Sequence, residues 1–163
     1  MPTPHTDWEA VYRQHRQGLF TLALAVTGSA AAAEDAVHDV FVRLLTRSDT
    51  APDDPVAFAF ASVRRAAIDQ RRRRRGDGRE TLHLPVEDDP SLGLEAADEA
   101  QRLREAVERL DDDEREAVAL RIHAGLTFAQ IAAVVGAPLS AVATRYARAL
   151  ERLQAMLAVE VAP

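Results

Sequence analysis

The chain has 163 residues, with 20 basic and 26 acidic side chains, a formal net charge of −6 and no cysteine. This length suits one domain or two small ones, and the lack of cysteine excludes disulfides, thiolate metal sites and a cysteine nucleophile. No apolar run approaches the roughly 20 residues that span a membrane, and residues 1–7 have neither the basic start nor the apolar core of a signal peptide. We therefore expect a cytoplasmic protein without membrane insertion.

The first 75 residues have the apolar spacing of three helices. Apolar side chains from Trp8 to Val26 fall on one face of a first helix that ends near Gly28. Ser29 is a suitable N-cap for a second helix, and Asp54-Pro55 has the N-cap and first-position residues of a third. The buried face of the second helix is expected to consist of Val37, Val40, Phe41, Leu44 and Leu45.

Two clusters of charge on these helices are candidate binding surfaces. Glu34, Asp35 and Asp39 lie on the second helix, and without a second acidic pair or spaced histidines they indicate a hydrated protein-binding face rather than a metal site. The third helix ends in five consecutive arginines, residues 71–75, with two more arginines one or two turns upstream. This run favours a patch that neutralises nucleic-acid phosphates; the alternative is a solvated helix end stabilised by the helix dipole.

The segment from 76 to 100 differs from both of its neighbours in composition. It holds one arginine and 8 acids, a net charge of −7, whereas residues 1–75 carry +2 and residues 101–163 carry −1. It also contains glycine and proline, so it has too little apolar surface to offset the entropy of ordering. The composition predicts a flexible acidic linker between two modules, with an ordered surface loop of a single domain as the alternative.

The last third of the chain has the signals of further helices. Leu103, Val107 and Leu110 form an apolar stripe. Two capping boxes follow, in which a residue that caps a helix is paired with a Glu or Gln three residues later. They begin at Asp111 and at Thr127.

Residues 127 to 157 have the parts of a helix-turn-helix motif. A short capped helix to about residue 135, a turn at Gly136 and a longer helix after Pro138, with an apolar stripe that starts at Leu139, are the required elements. In this motif the second helix lies in the major groove of DNA, where arginine reads guanine and Ser or Thr reaches bases and phosphates. The alternative is an ordinary helical hairpin with solvated arginines. The expected DNA-facing residues are Thr127, Ser140, Ala141, Ala143, Thr144, Arg145 and Arg148.

The fold class that these elements predict is all-α. Three helices, a linker and about four further helices make two small helical modules, at residues 1–75 and 101–163, and no segment alternates like a strand. A glycine-rich phosphate loop and a nucleophile motif are both missing from the sequence. We therefore expect no enzymatic activity, no cofactor, no bound metal and no small-molecule substrate.

Several segments resemble the conserved regions of one bacterial family. Ala33 to Leu44, with the sequence AEDAVHDVFVRL, resembles the second region of RNA polymerase sigma factors of the extracytoplasmic-function (ECF) group, and Ala66 to Arg72 resembles the end of that region. Leu110 to Leu153, which includes Gly125-Leu126-Thr127 and Arg145-Tyr146-Ala147-Arg148, resembles the fourth region. The resemblance covers nearly the whole chain, in the right order and with the linker in the right place.

The resemblance implies a transcription initiation factor that binds core RNA polymerase, through its clamp and flap regions, and directs it to promoters. The second helix would contact polymerase through Asp35, His38, Asp39, Phe41 and Arg43. The third helix, together with the loop from Thr46 to Asp53, would open the −10 element of promoter DNA. The residues implied there are Arg64, Arg65, Asp69, Arg71, Arg72 and Arg73.

The second module would, by the same resemblance, read the −35 element with the helix that starts at Leu139. An anti-sigma factor is a further implied partner, because such proteins commonly sequester members of the group by clamping both modules. The sequence leaves two alternatives open: a stand-alone helix-turn-helix regulator that needs no polymerase, and a polymerase-binding regulator without promoter recognition.

The chain departs from the usual pattern of the group at five positions. The group usually has Gln at His38, Trp near Phe58 and Asn at Arg65, and it has Thr at Ala141 and Lys or Arg at Ala143. The two alanines remove polar groups from the helix that would read the −35 element. We therefore expect weaker direct readout there and a larger share of the binding to come from polymerase.

Overall fold

The computed structural model describes residues 5–47, 51–76 and 93–161. For residues 160 and 161 only the backbone is described. In these ranges the secondary structure is helical throughout, which confirms the all-α prediction. The predicted loop residues 48–50 and residues 77–92 of the predicted linker lie outside the described ranges. The seven α-helices are α1 (Trp8–Thr27), α2 (Ala30–Thr46), α3 (Pro55–Gly76), α4 (Leu94–Glu108), α5 (Asp112–Val118), α6 (Phe128–Val135) and α7 (Leu139–Val161).

The helices begin where the capping residues predict. The Ser29 hydroxyl accepts a hydrogen bond from the backbone N–H of Ala32 at 3.3 Å, and the Asp54 carboxylate accepts one from Ala57 at 3.0 Å. Thr127 and Gln130 form the expected capping box. The Thr127 hydroxyl accepts a hydrogen bond from the backbone N–H of Gln130, and the Gln130 side-chain oxygen accepts one from the backbone N–H of Thr127. These local signals position α2, α3 and α6.

Helix α4 extends further towards the N-terminus than the composition of the segment predicts. It begins at Leu94, so residues 94–100, which we assigned to the linker, form its first turns. The reason is local, since alanine, glutamate and leucine favour helix, and Gly93 stands at the N-cap. Only Ala106 of this helix is buried, so its first turns gain little from packing.

A π-helical turn, Ala119–His123, continues α5. The N–H of Ala124 donates to the carbonyl of Ala119, five residues earlier, at 3.0 Å. Gly125 then ends the element with a φ of +67°, a left-handed conformation that glycine adopts without strain. The wide turn places Leu120 in the protein core, where it is fully buried.

The two modules share one hydrophobic core. The main cluster contains Leu19, Val40 and Phe60 of the first module, and it continues into the second through Leu120 and Ile131. A smaller cluster joins α4, α5 and α7. Its members are Ala106, Leu110, Val118, Ala149 and Leu153. The first module and the helix-turn-helix are therefore packed against each other.

Gly18 in the middle of α1 makes this packing possible. A Cβ atom at Gly18 would lie 2.9 Å from the Cα and 3.0 Å from the Cβ of Ala124, which is closer than real Cβ contacts come. A residue without a side chain therefore sets the distance between α1 and the end of the π-helical turn.

No single helix in the described ranges is both long and apolar enough to cross a membrane. One pair, Phe128–Val135 and Leu139–Val159, meets that criterion only when its two helices are combined, and the pair is bent by 104°.

Candidate nucleic-acid and polymerase interfaces

Helices α6 and α7 form a helix-turn-helix. The angle of 104° between them is within the range of the motif, and Gly136 makes the turn with a φ of +69°. Ile131 and Val142 are buried in the main core, and the rings of Phe128 and Tyr146 meet edge-on at 5.6 Å. One side of α7 is thereby packed against the core, and the other side of its first turns is exposed to solvent.

The open face of α7 carries most of the residues expected to face DNA. Ser140, Thr144 and Arg148 are exposed, and they follow a spacing of four residues along one side of the helix. The Thr144 hydroxyl donates to the backbone carbonyl of Ser140 at 2.9 Å and keeps its oxygen as an acceptor. Arg145 is 3.8 Å from the carboxylate of Asp113, an ion pair at the limit of contact.

The other residues predicted on this face are placed differently. Ala141 and Ala143 are half-buried, whereas Thr127 is exposed at the start of α6. Leu139, which we expected in the buried stripe, is 51% exposed. The reason is its position, since it is the first residue of α7 and precedes the part of the helix that packs on α6.

The basic residues of α3 divide between two faces. Arg64 donates two hydrogen bonds to the carboxylate of Glu116 in α5, at 2.7 and 3.1 Å, and Arg71 donates one to Asp112 at 3.0 Å. These two arginines therefore point to the second module. The remaining residues predicted to contact the −10 element are exposed. They are Arg65, Asp69, Arg72 and Arg73.

The exposed face of α2 carries four of the five residues implied to contact polymerase. Asp35, His38, Asp39 and Arg43 are exposed. Phe41, which the helical spacing places in the core and the resemblance implies at the polymerase contact, is buried: its side chain is only 4% exposed and its ring packs edge-on against Tyr12 at 5.0 Å. Phe41 follows the apolar spacing of the helix, so it belongs to the core and not to the surface.

An apolar groove beside this face was not predicted. Tyr12, Val42 and Leu45 are 41, 47 and 59% exposed, and they line an open groove of about 600 Å³ between α1 and α2. Leu45 was expected in the core, but it lies one residue beyond Leu44 and is therefore turned about 100° away from it. The groove borders His38 and extends the implied polymerase surface with apolar contacts.

An aromatic pair lies at the start of α3. The rings of Trp8 and Phe58 are 5.9 Å apart. They line a small cavity of about 130 Å³ together with Arg47 and Pro52 of the predicted loop. No local pattern indicates this contact, because it joins the first helix to the third.

Asp54 links the two modules at the N-terminus of α3. The hydrogen bond from the Ala57 N–H, with a further one from the Gln130 side-chain amide at 3.1 Å, holds the pKa of this carboxyl below its ordinary value, although burial opposes the change. Gln130 thus serves both the capping box of α6 and the cap of α3. Elsewhere in the described ranges, no three His, Asp or Glu side chains are grouped as they would be around a metal ion.

The helix-turn-helix with its open polar face places the protein among helix-turn-helix DNA-binding proteins. Two family models match the chain: Sigma-70 region 2 over residues 11–76, and Sigma-70, region 4, over residues 100–153. Together they cover most of the two modules.

Relatives of full length support the same assignment. The ECF RNA polymerase sigma factor SigK of Mycobacterium tuberculosis H37Rv is 24% identical over 157 residues, which is 91% of this chain and 84% of SigK. The ECF RNA polymerase sigma factor EcfG of Rhodopseudomonas palustris TIE-1 is 29% identical over 147 residues, 87% of this chain and 80% of EcfG.

Two solved structures have the same fold. The sigma factor RpoE from Bartonella quintana, in complex with the anti-sigma factor NepR, has a TM-score of 0.73 at 25% identity, over 94% of this chain and 98% of RpoE. CnrH, in complex with the cytosolic domain of CnrY, has a TM-score of 0.65 at 24% identity, over 93% and 88% of the two chains.

The chain belongs to the ECF-type RNA polymerase sigma factors and contains sigma-70 regions 2 and 4. These proteins direct RNA polymerase to promoters and are not enzymes. We refer below to α1–α3 as region 2 and to α4–α7 as region 4.

Proposed function

We propose that α7 of region 4 reads the −35 element, that the exposed arginines of α3 contact the −10 element, and that the exposed face of α2 binds core polymerase. The observation that carries this assignment is the two-sided character of α7. Ser140, Thr144 and Arg148 are exposed on one side, while Val142 and Ala149 are buried on the other. In a helix-turn-helix this arrangement directs the polar side into the major groove.

The number of possible base contacts in α7 is small. Arg148 and Arg145 can donate to guanine, and Ser140 and Thr144 can contact bases or phosphates. Ala141 and Ala143 offer only methyl groups. Because residues 1–75 and 101–163 carry net charges of only +2 and −1, free DNA would attract the chain weakly. Polymerase would therefore have to supply much of the affinity for a promoter.

The assignment of α3 is restricted to the side of the helix that remains open. Arg65, Arg72 and Arg73 are exposed and can neutralise phosphates of the strand that is separated at the −10 element. Arg64 and Arg71 are engaged by acidic residues of region 4 in this arrangement. The aromatic pair of Trp8 and Phe58 lies at the other end of α3, beside the predicted loop, and offers a surface on which an unstacked base could rest.

The polymerase surface combines charge with apolar contact. Asp35, Asp39 and Arg43 can form ion pairs at the rim, and Val42 and Leu45 supply the apolar area that a stable protein interface needs at its centre. His38 stands between them at the edge of the groove. Such a factor would act in the cytoplasm, where the polymerase and the chromosome are.

An anti-sigma factor is the second protein partner that we propose. The support is that RpoE, which is similar to this chain over both regions, is bound to the anti-sigma factor NepR. The apolar groove of region 2 and the open face of α7 are the surfaces on this chain that such a partner would cover.

In vitro transcription with the core polymerase of the source organism tests the −35 assignment. The double variant Arg145→Ala/Arg148→Ala should lose promoter-specific initiation by roughly tenfold or more, because each arginine that contacts a base contributes about 1–3 kcal/mol of discrimination. The matched control Arg102→Ala/Arg109→Ala removes two exposed arginines of region 4 far along the chain from α7 and should initiate normally. Equal initiation by both double variants would contradict the assignment, and a wild-type chain that initiates at no promoter of its own genome would overturn the function.

Co-purification with core polymerase tests the α2 surface. Asp35→Ala/Asp39→Ala should weaken capture of polymerase by up to about tenfold, or about 1.4 kcal/mol, because it removes two charges that steer and pair with the partner. Glu95→Ala/Asp98→Ala, two exposed acids of α4, is the control with the same change of charge. Unchanged capture by the α2 variant would place the polymerase contact elsewhere.

A further inference from the structure

Helix α7 presents two parallel rows of side chains on its solvent-exposed side, because residues four positions apart lie above one another on a helix. The polar row consists of Ser140, Thr144 and Arg148. The row beside it has side chains made only of carbon and hydrogen, and we call it the apolar row. It consists of Leu139, Ala143 and Ala147. Two of these three side chains are exposed and Ala143 is half-buried, so the apolar row is accessible along the first turns of α7.

Leu139 is the member of the apolar row that the fold does not use. Its side chain is 51% exposed, and it belongs to neither of the two core clusters that the described residues form. A single exposed leucine is common on protein surfaces. This one, however, is the first residue of α7, and the N-terminal residues of the second helix contact base edges in a helix-turn-helix.

Thr144 adds more carbon than hydrogen-bonding capacity to the same surface. Its hydroxyl proton is donated to the carbonyl of Ser140 at 2.9 Å, so the oxygen lone pairs and the γ-methyl group are what it can offer to DNA. Among the residues at positions 139, 140, 143 and 144, Ser140 alone therefore has a side-chain proton to donate to a base. The start of α7 is better suited to contact methyl groups than to form hydrogen bonds.

Apolar carbon in the major groove distinguishes thymine from the other bases. Thymine alone carries a methyl group on its major-groove edge, and apolar side chains contact it there. Cytosine presents an amino group on that edge, which would lose its hydration against Leu139 without gaining a hydrogen bond. An apolar side chain at this place thus favours A·T pairs both by the contact it makes and by the cost of the alternative.

We propose that the apolar row reads thymine methyl groups of the −35 element, with Leu139 as the residue that contributes most to this selectivity. The inference rests on the proposed role of α7 and adds to it the class of base that is read. The selected pairs are A·T at the positions that Leu139 and Ala143 face, next to pairs that Arg145 and Arg148 contact through hydrogen bonds.

Replacement of thymine by uracil tests the methyl contact, because uracil has the same hydrogen-bonding groups and lacks only the C5 methyl. The factor bound to core polymerase is first used to select promoter fragments from a pool in which the −35 element is randomised. It should select thymine at one or more positions. At the position that Leu139 faces, uracil should weaken binding about fourfold, the factor that corresponds to the loss of one buried methyl group, about 0.8 kcal/mol.

Two variants of Leu139 assign this contact to the apolar row. Leu139→Ala removes three carbon atoms, and Leu139→Gln keeps the length of the side chain but ends it in an amide. Both should bind the thymine and uracil fragments equally well. Val159→Ala is the matched control, because Val159 is a 76% exposed apolar residue of the same helix, about 30 Å further along its axis. This control should keep the fourfold difference.

Methylated cytosine provides the converse measurement. Cytosine in place of the selected thymine should weaken binding by the wild-type factor, and 5-methylcytosine restores the methyl group without restoring the thymine carbonyl. The methyl group should recover about fourfold in binding by wild type, the same factor as above. It should recover nothing in Leu139→Ala.

The outcomes separate the methyl contact from the role of α7. Equal binding of thymine and uracil fragments by wild type, or a selected −35 element without thymine, would overturn the methyl contact and leave α7 as the reading helix. A fourfold difference that persists in both Leu139 variants would overturn the assignment to Leu139. If the wild-type factor with polymerase selects no −35 sequence at all, the proposed role of α7 is wrong and the inference is wrong with it.

Discussion

The two helices proposed to contact DNA use arginine in opposite ways. In α3, Arg64 and Arg71 are turned inward and paired with Glu116 and Asp112, whereas in α7 the side chain of Arg148 is exposed. The residue type is the same and each helix has a basic face, but one face is covered by the protein itself. Arginine content therefore indicates a nucleic-acid surface only after the direction of each side chain is known.

The contrast also exists within α3, between neighbours. A nearly buried carboxylate such as Glu116 needs a partner, since an unpaired buried charge is costly. Arg64 supplies that partner, while Arg65 is turned about 100° further around the helix and is exposed. One arginine is thus expected to stabilise the fold and the next to contact DNA.

The largest expected effect comes from breaking the core that the regions share. Leu120→Ala in region 4 should lower the free energy of unfolding by about 2–5 kcal/mol, the usual cost of a large cavity. Because Leu120 packs into the core of region 2, the loss should also be seen by Trp8, the only tryptophan, which packs against that core. Urea denaturation followed by Trp8 fluorescence measures it.

Leu153→Ala is the matched comparison, since Leu153 belongs to the smaller cluster between α4, α5 and α7. It should lower the midpoint of urea denaturation followed by circular dichroism more than the midpoint followed by Trp8 fluorescence. A Trp8 transition that is unaffected by Leu120→Ala would mean that the two regions unfold independently and share no core.

A smaller effect separates the two neighbouring arginines of α3. Arg64→Ala should cost about 1–3 kcal/mol of unfolding free energy, because it leaves the Glu116 carboxylate without its partner. Arg65→Ala should change stability by no more than about 0.5 kcal/mol, as is usual for an exposed site, but should reduce promoter opening. Urea denaturation and a strand-opening assay provide the two readouts. Equal stability losses for the two variants would remove the distinction between the faces.

The smallest effect concerns pH and the cap of α3. The pKa of Asp54 is lowered in the folded protein, mainly by the Ala57 N–H, so the ionised carboxylate contributes stability above the ordinary aspartate pKa of about 3.9. This contribution is lost as the pH falls through the lower, folded value. Asp54→Asn keeps a capping side chain that does not titrate. The stability difference between wild type and Asp54→Asn should therefore favour wild type near neutral pH and shrink below about pH 4; a difference that grows in acid would contradict the assignment.

Local signals in the sequence predicted the helices well and the relation between the regions not at all. Ser29, Asp54 and Thr127 each interact with residues three positions away, so a short segment suffices to identify them. Arg64 and Glu116 are 52 positions apart, and no local pattern connects them. The acidic segment between the regions suggested two separate modules, because composition does not reveal that their apolar faces meet.

The candidate surfaces were predicted with the same limits. The open faces of α2 and α7 followed from helical spacing, since residues opposite a buried stripe are exposed. Leu45 was misplaced because it lies at the edge of that stripe, where the packing of a neighbouring helix decides which side chain is covered. Here Tyr12 of α1 covers Phe41, while Leu45 has no such neighbour and is exposed.

The π-helical turn at Ala119–His123 sets the rotational phase of all that follows it. Such a turn contains one residue more than the α-helical turn it replaces, and each residue of a helix corresponds to about 100° of rotation. Deleting any one of these five residues would allow an ordinary α-helix, yet α6 would emerge on a different side of it and Gln130 would no longer reach Asp54. The number of residues in this turn, more than their chemical nature, decides which face of the helix-turn-helix meets region 2.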